Sequence, residues 1–146
     1  MVEIVNRKAR YEYFIEAVYQ AGMVLKGTEI KSIREGKVNF GDSFCLFRDG
    51  ELWVHSLHIS EYAMGTYTNH DPIRERKLLL TKRELKKLEA KIKEKGYTII
   101  PLRILFNEKG FAKMDIGLGR GKKLYDKRET IKERDSSRQI KRNYGV

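Results

Sequence analysis

Several features that stabilise or anchor other proteins are scarce in this chain of 146 residues. It has one cysteine, Cys45, so no disulfide can form within the chain, and a reducing compartment fits. Cys45 lies in the apolar run SFCLF, where a buried inert thiol is expected rather than a nucleophile. Histidine occurs at His55, His58 and His70, with no Cys, His or carboxylate at metal-ligand spacing around them. No metal or other cofactor is therefore expected, and the three read as surface or packing residues. No apolar run approaches the roughly 20 residues that span a bilayer, and the opening MVEIVNRKAR lacks a secretory apolar stretch. The expectation is a cytoplasmic protein with no membrane partner. The two prolines, Pro72 and Pro101, sit in a turn and in an apolar run, and no low-complexity linker or internal repeat appears. Acidic charge also falls short: 20 Asp and Glu face 31 Lys and Arg, a net charge of +11.

That excess attracts polyanions, most strongly at low salt, and it is unevenly spread. Residues 120–146 hold ten Lys/Arg against four Asp/Glu, a surplus of six, with few large apolar side chains. Such a segment cannot offset its ordering entropy by burial. The chain thus divides into a compact body, residues 1–119, and a basic C-terminal tail, residues 120–146, unstructured when free and ordered on a partner. Two further clusters are Asn6-Arg7-Lys8-Ala9-Arg10, before the aromatics Tyr11, Tyr13 and Phe14, and Arg74, Arg76 and Lys77, before three leucines. In all three, bases outnumber acids, which suits phosphate contacts beside rings and leucines that pack on bases or sugars.

The body reads as mainly β. YEYFIEAVYQAGMVL predicts a long strand bent or bulged at Gly22. Thr28 is placed to cap a short helix, with Ile30 and Ile33 inward and Gly36 as its stop. SFCLF and ELWVHSL flank Asp49-Gly50, a strong hairpin signal. Residues 60–77 look loop-like. Thr81 and Glu84 form a capping box before Leu85, Leu88 and Ile92, and Gly96 ends that helix. YTIIPLRILF and FAKMDIGLG follow as strands around the turn Asn107–Gly110, the first at an edge or bulged because of Pro101. This order predicts an OB-fold-like closed antiparallel barrel with added short helices; a half-open sheet packed by helices is the alternative. No catalytic arrangement is found. Gly117 to Lys123 fails as a phosphate loop, with three residues between Gly117 and Gly121 and no Ser or Thr after Lys122. The reading is a binding protein and not an enzyme. A general single-strand binder and an RNA-processing enzyme are the competing readings.

Four segments carry a more specific signal: residues 6–15 (NRKARYEYFI), 27–37 (GTEIKSIREGK), 76–80 (RKLLL) and 121–132 (GKKLYDKRETIK). In this order they resemble the SsrA-binding protein family, known as small protein B, from about residue 6 to residue 134. The resemblance implies an OB-fold barrel that binds the tRNA-like part of transfer-messenger RNA and brings it to stalled ribosomes for trans-translation. It also implies a tail that enters the decoding centre of the small subunit and the empty mRNA channel as a helix. The expected partners are therefore transfer-messenger RNA and the ribosome, with the protein itself a monomer.

Carried over residue by residue, the RNA-facing candidates are Lys8, Arg10, Gln20, Ala21, Gly22, Lys77, Leu78, Leu79, Leu80 and Thr81. Gln20 and Thr81 depart from the family pattern, which favours an acidic residue and an Asn or other polar residue there; both can still hydrogen-bond. In the tail the resemblance implies ribosome contacts by Gly121, Lys122, Lys123, Tyr125, Asp126, Lys127, Arg128, Ile131 and Lys132, with the Tyr125 ring stacking on a decoding-centre base.

Overall fold

The computed structural model describes residues 3–64 and 69–122. In chain order these form β1 (Glu3–Val5), α1 (Ala9–Glu12), β2 (Tyr13–Met23), α2 (Gly27–Arg34), β3 (Val38–Asn39), β4 (Phe44–Arg48), β5 (Glu51–His55), β6 (His58–Ile59), β7 (Arg76–Leu79), α3 (Lys82–Ile92), β8 (Tyr97–Phe106) and β9 (Ala112–Gly121). The architecture is mainly β with a few short helices. Pairing runs β1-β8-β4-β5-β7-β2-β9, all antiparallel, and β9 pairs again with β8; β3 and β6 form a separate small sheet.

Local chemistry explains most of these elements. Asp49 and Gly50 both adopt positive φ, 54° and 76°, which matches the twist of the flanking strands, and Arg48 pairs with Glu51 across the turn. Thr81 Oγ1 accepts the Glu84 backbone N–H at 3.1 Å, and Glu84 Oε1 accepts the Thr81 N–H at 3.0 Å, so the capping box closes at α3. Asn107 Oδ1 accepts the N–H groups of Lys109 and Phe111 and fastens the turn between β8 and β9.

Other expectations are corrected. Thr28 does not cap α2. The cap lies two residues earlier, at Lys26, whose backbone N–H donates to Glu29 Oε1 at 2.7 Å. Thr28 Oγ1 instead bonds His70 Nδ1 at 2.8 Å. The irregularity in β2 lies between Ile15 and Ala17, while Gly22 is regularly paired. Pro101 marks a register shift in β8, but β8 is no edge strand, because it pairs with β1, β4 and β9. The aromatic start at Tyr11 is helical, with α1 occupying Ala9–Glu12. Strand β9 continues to Gly121, two residues beyond the expected end of the body.

One hydrophobic core gathers side chains from most strands and from two helices. Leu52, Val54, Leu78, Met114 and Ile116 are wholly buried, and α2 and α3 add Ile33 and Leu88 from outside. Alternation then decides the other face. Along β9, Met114 and Ile116 point in while Lys113 and Asp115 are only partly buried.

Candidate nucleic-acid interface

Where β7, β2 and β9 run side by side, their outward residues converge. Gly22 pairs with Leu79 on one side and with Lys113 on the other. A Cβ at Gly22 would lie 3.5 Å from Leu79 Cβ and 3.7 Å from Lys113 Nζ, so the glycine leaves a shallow floor between a leucine and an ammonium. Leu79 is half-exposed. Two residues along, Gln20 Nε2 donates to Asp115 Oδ1 at 3.1 Å. Arg103 holds the other oxygen of Asp115 and also pairs with Glu3. Gln20 thus has its amide group turned toward Asp115, leaving Oε1 for an outside donor.

Strand β7 extends this face. Lys77 points outward, paired loosely with Glu51 at 3.7 Å, and stands opposite Trp53. The Arg48 guanidinium lies 4.2 Å from the Trp53 ring centroid, and Leu46 beside it is half-exposed. Glu51 offsets Lys77 here and Glu75 binds Arg48 at 2.6 Å, so this part of the face offers an aromatic and leucines for bases and sugars more than net charge for phosphate.

Not every candidate reaches this face. Ala21 and Leu78 are wholly buried, so their side chains set the spacing of their neighbours and touch nothing outside. Leu80 is half-buried against the core, and the Thr81 side chain is engaged in capping α3. Lys8, just before α1, and Arg10, within it, are exposed beyond the opposite end of β2. Tyr13 and Gly22 are separated by up to about 30 Å of strand. The candidates therefore form two groups. Of the tail, Gly121 ends β9, and the Lys122 ammonium sits 5.1 Å from the Phe14 ring centroid. Lys123, Tyr125, Asp126, Lys127, Arg128, Ile131 and Lys132 lie outside the described residues.

The second basic cluster is corrected more sharply. Arg76 is wholly buried and donates to Glu29 Oε2 at 2.7 Å and to the Leu57 carbonyl, while Arg74 grips Glu29 Oε1 at 2.6 Å. Glu29 is itself wholly buried. Burial would raise its pKa, but hydrogen bonds from Arg74, the Lys26 N–H and Arg76 hold it below the usual carboxylate range. These arginines tie α2 to β7 and are not available to phosphate. His70 is buried likewise, bridging Thr28 and the Ile59 carbonyl. Cys45 is buried, which pushes its thiol pKa up.

Lys113 is the residue that sequence reasoning missed. Period-two alternation in FAKMDIGLG places it opposite Met114, on the outer face, and that signal was available.

A family model described as SmpB protein matches residues 3–145. The SsrA-binding protein of Geobacter sulfurreducens is 56% identical over 135 residues, covering 92% of this chain and 88% of that one. The SsrA-binding protein of Bacillus cytotoxicus is 54% identical over 139 residues, covering 95% and 89%. A solved chain described as "tmRNA-SmpB: a journey to the center of the bacterial ribosome" superposes with a TM-score of 0.75 at 49% identity, covering 98% of this chain and 100% of that chain. With nearly its whole length matched at this identity, the chain belongs to the SmpB protein family.

Proposed function

We propose that this protein binds the tRNA-like part of transfer-messenger RNA and delivers it to stalled ribosomes for trans-translation, as a binding protein without catalysis. The observation that carries the reading is the convergence of Gln20, Gly22, Leu79 and Lys113 on one outer face, in a chain whose relatives are SsrA-binding proteins. Lys113 supplies charge to phosphate, Leu79 packs on a sugar or base, Gly22 lets the backbone approach, and Gln20 accepts or donates a hydrogen bond. Lys77 widens the same face. Lys8 and Arg10, at the far end of β2, serve a second RNA surface. The body is read as an OB-fold barrel, supported by the return of β9 to β8 in the pairing order. The division of labour puts RNA capture on the body and decoding-centre contact on the tail, from Gly121 and Lys122 through Lys123, Tyr125, Asp126, Lys127, Arg128, Ile131 and Lys132.

A gel shift tests it with the tRNA-like part of transfer-messenger RNA beside an unrelated tRNA. Lys113→Glu is expected to weaken binding to the former at least tenfold with unfolding behaviour unchanged. Equal binding of the unrelated tRNA, or an unaltered affinity in the variant, would overturn the reading.

A further inference from the structure

We propose that a cleft at the beginning of β2 binds one unpaired guanine nucleotide of an RNA, as a site distinct from the Gln20–Lys113 face. Phe14, Ile15, Glu16, Tyr97 and Arg120 line this cleft, which encloses about 360 Å³, within the range of small-ligand sites.

The fold builds the cleft deliberately. The register shift between Ile15 and Ala17 makes Glu16 the extra residue of β2. Opposite it, Gly119 lies so close that a Cβ there would be 2.4 Å from the Phe14 carbonyl oxygen. The two backbones meet, and both Phe14 and Glu16 face solvent. Tyr97, at the start of β8, pairs with Arg120, whose guanidinium lies 4.5 Å from the Tyr97 ring centroid. Tyr97 donates its hydroxyl proton to Glu16 Oε1 at 2.6 Å, and Lys91 on α3 stands 3.6 Å from Glu16 Oε2. The Tyr97 hydroxyl, aided by Lys91, keeps the Glu16 carboxyl below its ordinary pKa and hence ionised at neutral pH.

The donors and acceptors present select the ligand. Arg120 lies near enough to Glu16 to help keep its carboxyl ionised, yet among the described residues neither Arg120 nor Lys122 is within ion-pair distance of an acid. An anionic group would satisfy them. A bare phosphate, however, would meet the Glu16 carboxylate. A nucleotide resolves the conflict, with its phosphate toward Arg120 and Lys122 and ring N–H groups toward Glu16. Each oxygen of Glu16 keeps a lone pair beyond its present partner. Guanine presents two adjacent donors on its Watson–Crick edge, N1–H and the N2 amino group, which match both oxygens. Adenine and cytosine would each turn a ring acceptor toward the carboxylate, and uracil would turn carbonyls. The Phe14 ring, 47% exposed, borders the cleft with the Lys122 ammonium 5.1 Å from its centroid. The site also continues the first one: Glu16 and Gln20 both point outward on β2, four residues or about 13 Å apart.

The test titrates the full-length protein with GMP, AMP, CMP, UMP or inorganic phosphate while backbone amide NMR signals are followed. GMP is expected to shift the signals of residues 14–16, 97 and 120 at concentrations at least fivefold lower than any other probe. Glu16→Gln, a change at an exposed side chain, should remove that preference while leaving the thermal unfolding of the protein unchanged. Equal response to all four nucleotides, phosphate matching GMP, or shifts confined to other residues would overturn the proposal. The Lys113→Glu gel shift fails or succeeds independently of these signals.

Discussion

Glu29 shows how one residue can hold two elements together. Its carboxylate accepts from Arg74, Arg76 and the Lys26 N–H, all with the oxygens out of water. Removing one side of a buried, hydrogen-bonded pair leaves the other charge stranded, at a cost of about 3–5 kcal/mol. Glu29→Gln is accordingly expected to lose about that much stability in urea unfolding at pH 7. The pH dependence follows from the direction of the shift. The folded pKa lies below the unfolded one, so the stabilisation is complete above the unfolded carboxylate range and is lost as pH falls through the folded value. The wild-type and variant stabilities should therefore converge toward acid pH; a gap that stayed constant would show that the charge is not its source. The same cluster explains an error of sequence reading. Arg74 and Arg76 look like free basic charge because their acid is 45 and 47 residues away in the chain. Only the fold brings Glu29 beneath them.

At the scale of elements, legibility followed the range of the interactions. The Asp49-Gly50 hairpin, the Thr81–Glu84 box and the Asn107 turn are each decided within five residues, and the sequence shows them plainly. β1, β3 and β6 are two or three residues long and exist through partners far along the chain, so no local pattern marks them. The bulge at Glu16 is equally hidden. It depends on Gly119, across the sheet, where Gly22 had seemed the natural place to bend. The glycines give a direct check. Gly119→Ala would drive a methyl group into the Phe14 carbonyl and force β2 and β9 apart, at a cost of about 1–3 kcal/mol or about 2–12 °C in Tm. Gly27, at the start of α2, has nothing within 4 Å of a built Cβ. Gly27→Ala should raise stability by up to about 1 kcal/mol through the unfolded chain. Thermal unfolding of the two variants side by side decides the matter: if they behave alike, close strand approach at Gly119 is not what shapes β2.

For the whole molecule, the governing feature is a basic charge carried in separable places. Strand β9 stays paired with β2 through Gly121, so a cut that respects the fold falls after Lys122 and not after Gly119. The segment removed, residues 123–146, carries eight Lys/Arg and four Asp/Glu. If the body alone captures the tRNA-like RNA, this truncation should keep its affinity within a fewfold at moderate salt. The log–log salt slope should also change by less than one phosphate contact, about 0.7 to 0.9. Peptide tagging on stalled ribosomes, assayed in a purified translation system, should meanwhile disappear. Lys113→Glu should do the reverse at the first step, weakening capture while the tail remains intact. A truncated protein whose RNA affinity collapsed together with its salt slope would mean that both charge stores act on one RNA surface. The face built from β7, β2 and β9 would then be too weak to hold the RNA unaided.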